Sequence, residues 1–509
     1  MKCLVLVLSI LSVSYGYKIL GIFPVPSRSH GLLAKGIVDA LLNAGHEVTW
    51  VSPFTDWKTH KNLKLVDVSD TIKLVEGIDM TQQRDELNFV KEFAKNITTI
   101  TNKNQRLREL VTRENFDAVV TEWFFSDTDA GYAAVQQAPW IMLNGMVLHP
   151  HVEGLVDEVR SISTIPMMMF DFPMPMTFWQ RLLNTFTYIS MTASMKLEES
   201  STAARYESQF ASLANARRVQ LPPFSEAVNN VSILLVNSHP SIASALSLPP
   251  NVIDIAGYHI DEAQPLPKDI QDILDSSPQG VVYFSMGSVV KSSKLPAHTR
   301  KDLIEMLGSV PYTVLWKFEE DIQGLPKNIV ARKWWPQASV LAHPNVRLFI
   351  THGGMLSTLE AIHYGVPLLA VPVFGDQPNN AQRAVRSGYA LSVPYNPDMG
   401  PELKVALNKM LNDDSYYKQA KFLSKLFNSR PVPPSKLISH YIELAIESKG
   451  ANHLRSKTFL YSWYQRWMVD QLAFVLLVLY IVYAAATRII CKLFCGEKTK
   501  EVKKKVKKN

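Results

Sequence analysis

The chain has 509 residues, 47% of them hydrophobic and 19% charged, enough to bury a large core and to divide into two or more domains. Its 53 Lys and Arg against 46 Asp and Glu leave a formal charge of +7, but seven lysines crowd into residues 498–509 with no aromatic side chain among them, which argues against a nucleic-acid face. The three cysteines are Cys3, Cys491 and Cys495, so residues 4–490 can hold neither a disulfide nor a cysteine-ligated metal.

Residues 1–16 carry Lys2, an apolar run from Cys3 to Val13 and the small residues Ser14 and Gly16, the pattern of a secretory signal peptide cleaved after Gly16. Tyr17 to Val25 then reads as a strand, 30–44 as a helix stopped at Gly45, and Glu47 to Ser52 as a second strand. Strand, helix and strand in so short a span impose a parallel sheet. No Gly-x-Gly-x-x-Gly follows the first strand, which counts against a nicotinamide or flavin enzyme. A helical region over 84–113 and strands at 117–121, 139–143 and 232–236 complete an α/β domain over 17–240. Residues 155–200 break the rhythm with Met167, Met168, Met169, Phe170, Phe172, Met174, Met176, Phe178 and Trp179. A soft lining for apolar substrates, contact with a membrane surface and plain core filling all fit that composition.

Pro240, just before it, and Pro249, Pro250, Pro265 and Pro267 within it mark 241–270 as a connection. A second α/β series fills 271–450, with strands at 280–285, 312–317, 328–332, 346–350 and 367–372, followed by helices over 401–449. Val469 to Ile490 holds only Asp470 and Arg488 as charges, both near its borders, and reads as a transmembrane helix. Trp463, Tyr464 and Trp467 precede it as an aromatic belt. Arg488, Lys492 and the lysine-rich tail, 491–509, mark the far side as cytoplasmic. A type I topology follows, with the body in the lumen, where the sequons at Asn96 and Asn230 would meet the glycosylation machinery. Cys491 and Cys495 lie where palmitoylation occurs, although idle thiols fit equally.

The richest stretch is Phe349-Ile350-Thr351-His352-Gly353-Gly354-Met355-Leu356-Ser357-Thr358-Leu359-Glu360, running on to Gly375-Asp376-Gln377. A buried strand ends at a double glycine, where the backbone can turn tightly beside a ligand. The helix that follows offers free N–H groups and the positive end of its dipole to a diphosphate. His352 can donate to the same anion, Glu360 can reach a ribose diol, and Asp376 with Gln377 can hold sugar hydroxyls at the carboxyl edge of the next strand.

This span, with Trp334-Trp335-Pro336-Gln337 upstream, resembles the signature of the UDP-glycosyltransferases, and in particular their membrane-bound, invertebrate-like members. The resemblance covers most of the chain and implies a GT-B fold: α/β, two tandem Rossmann-like domains facing a cleft, plus the C-terminal transmembrane helix. In that fold the last helix returns to the first domain, which here means 432–449. The resemblance assigns Trp334 to stacking on uracil, Gln337 to its edge, and Ser285, Gly287, Ser288, His352, Gly353, Gly354 and Ser357 to the phosphates. Many relatives carry Asn four residues after the histidine, where this chain has Leu356. The lysines at 505 and 507 resemble the dilysine signal for retrieval to the endoplasmic reticulum.

The resemblance places a catalytic base at His30, just after the first strand, where an imidazole can take a proton from an attacking hydroxyl. Such a base works best with a carboxylate on its other ring nitrogen. Many relatives have Asp at the end of a later strand; here Glu122 stands in its place, with Asp127 and Asp129 as rivals. Arg28 would lower the basicity of His30 if it pointed inward. The implied reaction is an inverting displacement that moves a hexose, glucose or glucuronic acid, from a UDP-sugar to a small lipophilic acceptor. No Asp-x-Asp occupies the donor site, so neither a metal nor a cofactor is expected. A non-catalytic UDP-sugar-binding membrane protein is the rival reading, and a homo-oligomer is left open.

Overall fold

The computed structural model describes residues 16–76, 86–159, 161–167, 169–170, 172–243, 246–287 and 290–506. The signal-peptide reading over 1–15, Ser288 and the lysine at 507 lie outside these residues. The chain divides into two compact units, Met1–Arg455 and Ser456–Asn509.

The first unit is built on two sheets. One holds β1 (Lys18–Ile22), β2 (Glu47–Ser52), β3 (Leu63–Asp67), β4 (Ala118–Glu122), β5 (Trp140–Asn144), β6 (Val231–Val236) and β7 (Val252–Asp254), in the order β3-β2-β1-β4-β5-β6-β7. The other holds β8 (Val281–Ser285), β9 (Thr313–Lys317), β10 (Ile329–Arg332), β11 (Val346–Thr351), β12 (Leu368–Ala370) and β13 (Ala390–Ser392), in the order β10-β9-β8-β11-β12-β13. Every pairing is parallel. β4, β5, β6 and β8 are buried at every residue, which is why they read as unbroken apolar runs rather than alternating ones.

Each sheet carries an apolar core on both faces. On the first sheet, the helix Arg28–Asn43 presents Leu33, Ala34, Ile37, Val38 and Leu41 to one face. The helix Pro434–Glu447, the last of this unit, adds Ile438, Ile442 and Ala445 to that same core although it follows the whole second sheet in sequence. His46 and Glu443 join it at 3.0 Å.

Several elements depart from the sequence reading. The helical region 84–113 is two helices, Glu86–Lys103 and Gln105–Arg113, because Asn104 caps the second by accepting from Leu107 N–H. β7 lies inside the proline-rich connection and pairs with β6, so the first sheet extends past residue 240. β3 and β13 were not anticipated. The methionine-rich block gives way at Thr177 to a forty-residue helix, Phe178–Arg217, opened by a capping box in which Thr177 and Gln180 exchange bonds. Its far end buries Tyr206, Phe210 and Leu213, whereas Phe178, Trp179, Leu182, Leu183, Phe186 and Ile189 at its start are exposed.

In the second unit a short helix, Trp463–Arg466, is capped by Ser462 and Gln465, and a continuous helix follows over Val469–Val506. Its first 25 residues, Val469–Leu493, are apolar and long enough to cross a membrane, with none of that length buried against protein.

Candidate active site

In an open parallel sheet, ligands bind outside the carboxyl ends of the strands where the strand order reverses. The first sheet reverses between β1 and β4, and the second between β8 and β11. His30 and Glu122 fall at the first of these points and Ser285, Gly287 and His352 at the second, whereas Trp334 and Gln337 follow β10 and Asp376 and Gln377 follow β12.

At the first reversal His30 stands in the opening turn of the helix after β1, and Glu122 is the last residue of β4. Nδ1 of His30 lies 2.7 Å from Oε1 of Glu122. The Glu122 side chain is almost fully buried, while a fifth of the imidazole stays open. Phe124 meets the imidazole edge-on, with ring centres 5.2 Å apart. Burial alone would pull the His30 pKa down. The charge and hydrogen bond of Glu122, joined by the charge of Asp376 from the second sheet, hold it above the ordinary imidazole value. Glu122 thus sits where a longer acid can serve in place of Asp.

The rivals are engaged elsewhere. Asp127 accepts from Trp123 Nε1 at 2.8 Å and pairs with His151 Nε2 at 2.8 Å. Burial pushes the Asp129 carboxyl up to about 7. Arg28 points away from His30: it grips Asp56 with two bonds of 2.8 Å and lies over Phe54, 4.2 Å from the ring centre.

At the second reversal the His352 ring is wedged between two glycines. A Cβ on Gly287 would stand 2.6 Å from its Cε1, and one on Gly354 would stand 2.5 Å from its Nε2. Gly287 also has φ +78 and Gly353 has φ +81, both in the left-handed region. Burial, and then the nearby Lys317 charge, lower the His352 pKa to about 4, so the ring is neutral at pH 7. Lys317 Nζ donates to the Gly287 carbonyl at 3.0 Å and pairs with Glu319 at 3.0 Å. The sequence reading missed this lysine, although a lysine at the carboxyl end of β9, beside β8, was a signal for an anion.

Behind these residues Gln337 is enclosed in a polar chain. Its Oε1 accepts from Tyr283 at 3.2 Å, and its Nε2 donates to Glu360 at 2.5 Å and to Ser357 at 3.2 Å. Burial pushes the Glu360 carboxyl up to about 7. Ser285 is buried and accepts from Gly287 N–H at 3.3 Å. Gln377 holds its own loop by accepting from Val373 and Phe374 N–H, while Asp376 accepts from Asn380 at 2.6 Å. The two tryptophans separate cleanly. Trp334 is 67% exposed; Trp335 is 2% exposed and donates to the Trp316 carbonyl at 3.1 Å. Leu356, where many relatives have Asn, packs against the cores of both halves. Both sequon asparagines, Asn96 and Asn230, are exposed. Among the described residues, no three His, Cys, Asp or Glu side chains gather as a metal site would require.

The family described as "UDP-glucoronosyl and UDP-glucosyl transferase" matches residues 18–507. The chain belongs to this family. Among the similar UDP-glycosyltransferases, UDP-glucosyltransferase 2 of Dactylopius coccus is 32% identical over 95% of this chain and 94% of its own length. UDP-glucuronosyltransferase 2B7 of Homo sapiens is 28% identical over 92% of this chain and 91% of its own. Solved structures share the GT-B fold at low identity. The spinosyn forosaminyltransferase SpnP matches with TM-score 0.58 at 16% identity, over 85% of this chain and 99% of its own. A UDP-glucosyltransferase from Polygonum tinctorium matches with TM-score 0.56 at 15% identity, over 85% and 98%. This UDP-glycosyltransferase is therefore a glycosyltransferase enzyme that takes its sugar from a UDP donor.

Proposed function

We propose that the enzyme transfers glucose, with inversion and without a metal, from UDP-glucose to a hydroxyl of a small lipophilic acceptor. The observation that carries the reading is the 2.7 Å contact between His30 and buried Glu122 at the first strand reversal. Nδ1–H of His30 donates to Glu122, which leaves Nε2 free as the base. Nε2 takes the acceptor's hydroxyl proton, and the oxygen attacks the anomeric carbon from the face opposite UDP. The bond from that carbon to the diphosphate oxygen breaks, and its electron pair leaves with UDP. Glu122 stabilises the imidazolium formed.

The leaving diphosphate meets the N–H groups opening the helix Met355–Tyr364, His352 and the Lys317 charge, which together do the work a cation would otherwise do. Trp334 stacks on the uracil, and Asp376 and Gln377 face the sugar. Gln337 and Glu360, already bonded to each other, act on the nucleoside as one unit. The 32% identity to an insect enzyme named a glucosyltransferase favours glucose over glucuronate as the sugar.

The apolar span Val469–Leu493 anchors the enzyme in the endoplasmic reticulum membrane, with the glycosylated body lumenal and the basic tail cytoplasmic. Detoxification of lipophilic compounds fits that placement. A donor screen with a phenolic acceptor on purified membranes tests the reading. UDP-glucose should be turned over in preference to UDP-glucuronate, with a β-linked product. An α-linked product would overturn the inversion. His352→Ala should weaken UDP itself, and unchanged UDP affinity would remove His352 from the phosphate site.

A further inference from the structure

We infer that Gly145 is a positioning residue for the His30–Glu122 pair, and that Glu122 and Gly145 work as a matched unit. The inference rests on the reading of His30 as the base. Gly145 follows β5 directly and is buried beside the end of β4. A Cβ there would stand 2.7 Å from Oε1 of Glu122 and 2.8 Å from Cδ1 of Leu33. The first of these is the atom that holds Nδ1 of His30. The vacant Cβ volume is therefore what admits the longer of the two acidic side chains at this strand end.

Three observations indicate where the strain of an added methyl would go. The backbone of Gly145 is not in the left-handed region, so alanine can adopt it. That backbone cannot retreat, because Asn237 Nδ2 donates to the Gly145 carbonyl at 3.0 Å and Asn237 N–H donates to the Asn144 carbonyl at 3.0 Å. The atoms in the way are the ends of two side chains, and the carboxylate yields first: its Oε2 is buried without a hydrogen-bond partner among the described residues, so the bond to His30 alone fixes it. A methyl at 145 thus displaces the catalytic contact while leaving the packing of the sheet nearly intact.

The test is a double-mutant cycle of Gly145→Ala and Glu122→Asp. Gly145→Ala should lower kcat about tenfold to a hundredfold, the lower part of the range for disabling a general base. KM for the UDP-sugar and the unfolding midpoint should stay near wild type. The acid limb of kcat/KM should move to lower pH, because the displaced Glu122 no longer hydrogen-bonds the imidazolium. Glu122→Asp alone should also lose rate, its carboxylate one methylene short of Nδ1. In the double variant the shorter acid clears the added methyl, so Gly145→Ala should cost nothing further and the rate should equal that of Glu122→Asp alone.

Wild-type kcat and pH profile in Gly145→Ala, or losses that simply multiply in the double variant, would overturn the inference. If Gly145→Ala does not fold, the double variant against Glu122→Asp alone decides: equal or higher activity supports the pairing, lower activity overturns it. His30→Ala separates the two levels. A fully active His30→Ala removes the base reading itself, whereas an inactive His30→Ala beside an indifferent Gly145→Ala removes only the role of Gly145.

Discussion

Replacing His30 with alanine should cut turnover by about a thousandfold or more while leaving UDP affinity unchanged. Loss of a general base costs about a hundred- to ten-thousandfold, or about 2.7 to 5.4 kcal/mol of transition-state stabilisation at 1.36 kcal/mol per decade. The structure places this case in the upper half of that range. The ring is oriented by a buried carboxylate at 2.7 Å, and Asp127, the next acidic group along the chain, is committed to His151 and Trp123. The other carboxylate whose charge reaches His30, Asp376, comes from the second sheet and accepts from Asn380 at 2.6 Å. The separation of effects follows from topology: His30 belongs to the reversal between β1 and β4, and the diphosphate residues to that between β8 and β11. Single-turnover measurement of acceptor glycosylation gives the rate, and titration calorimetry with UDP gives the affinity. A variant that keeps more than about a tenth of wild-type turnover would place the base elsewhere.

Glu122→Gln should cost less than His30→Ala and should shift the acid limb of kcat/KM to lower pH. The lost charge is what holds His30 above its ordinary value, so the neutral, active ring persists further into acid. An unmoved limb, or a larger effect from Asp127→Asn, would reassign the acidic partner. Trp334→Ala should weaken UDP by about 1 to 3 kcal/mol, the usual worth of one base stacked on an aromatic ring. Trp335→Ala should instead destabilise the fold by about 3 to 5 kcal/mol, read as a lower unfolding midpoint; the reverse pattern would exchange their roles. Chelators should leave activity intact, and a requirement for Mg²⁺ or Mn²⁺ that is met by adding the ion back would contradict the Lys317 and helix-dipole account. Protease added to sealed microsomes should remove only the tail beyond the span, and digestion of the body without detergent would reverse the topology.

Most strands legible in the sequence are buried on both faces, where composition alone marks a strand; β10, an edge strand with only Ile329 buried, is the exception. β3 escaped notice because Leu63-Lys64-Leu65-Val66-Asp67 is an edge strand with a charged, half-open face. β7 and β13 are three residues each and, unlike the equally short β12, each includes a polar or charged residue that breaks the apolar run. The helix Phe178–Arg217 was hidden for a different reason: its first three turns leave apolar side chains in the open, so burial gives them no amphipathic pattern. Its start was nonetheless written in Thr177-Phe178-Trp179-Gln180, a capping box just after the prolines. In the site, His30 and Glu122 were readable because strand ends bring them together. Lys317 carried a signal in its place at the end of β9 that was overlooked, and Gly145 carried none, since it matters only through Glu122 on a neighbouring strand.

The helix Pro434–Glu447 has a consequence for anyone exchanging parts between such enzymes. Ile438, Ile442 and Ala445 belong to the core of the first sheet, the proposed acceptor half, so that half is not a continuous stretch of chain. A chimera made with a single cut near residue 260 would graft a foreign last helix onto the acceptor core, and its three buried contacts would have to match by chance. Two cuts, one near 260 and one between Ser429 and Pro433, would move the donor half as a cassette and leave the acceptor core whole. The half built on the second sheet is thus an insertion in the half built on the first, and under the proposed division of labour sugar preference can be exchanged, in the laboratory or in the course of descent, without disturbing the core proposed to choose the acceptor.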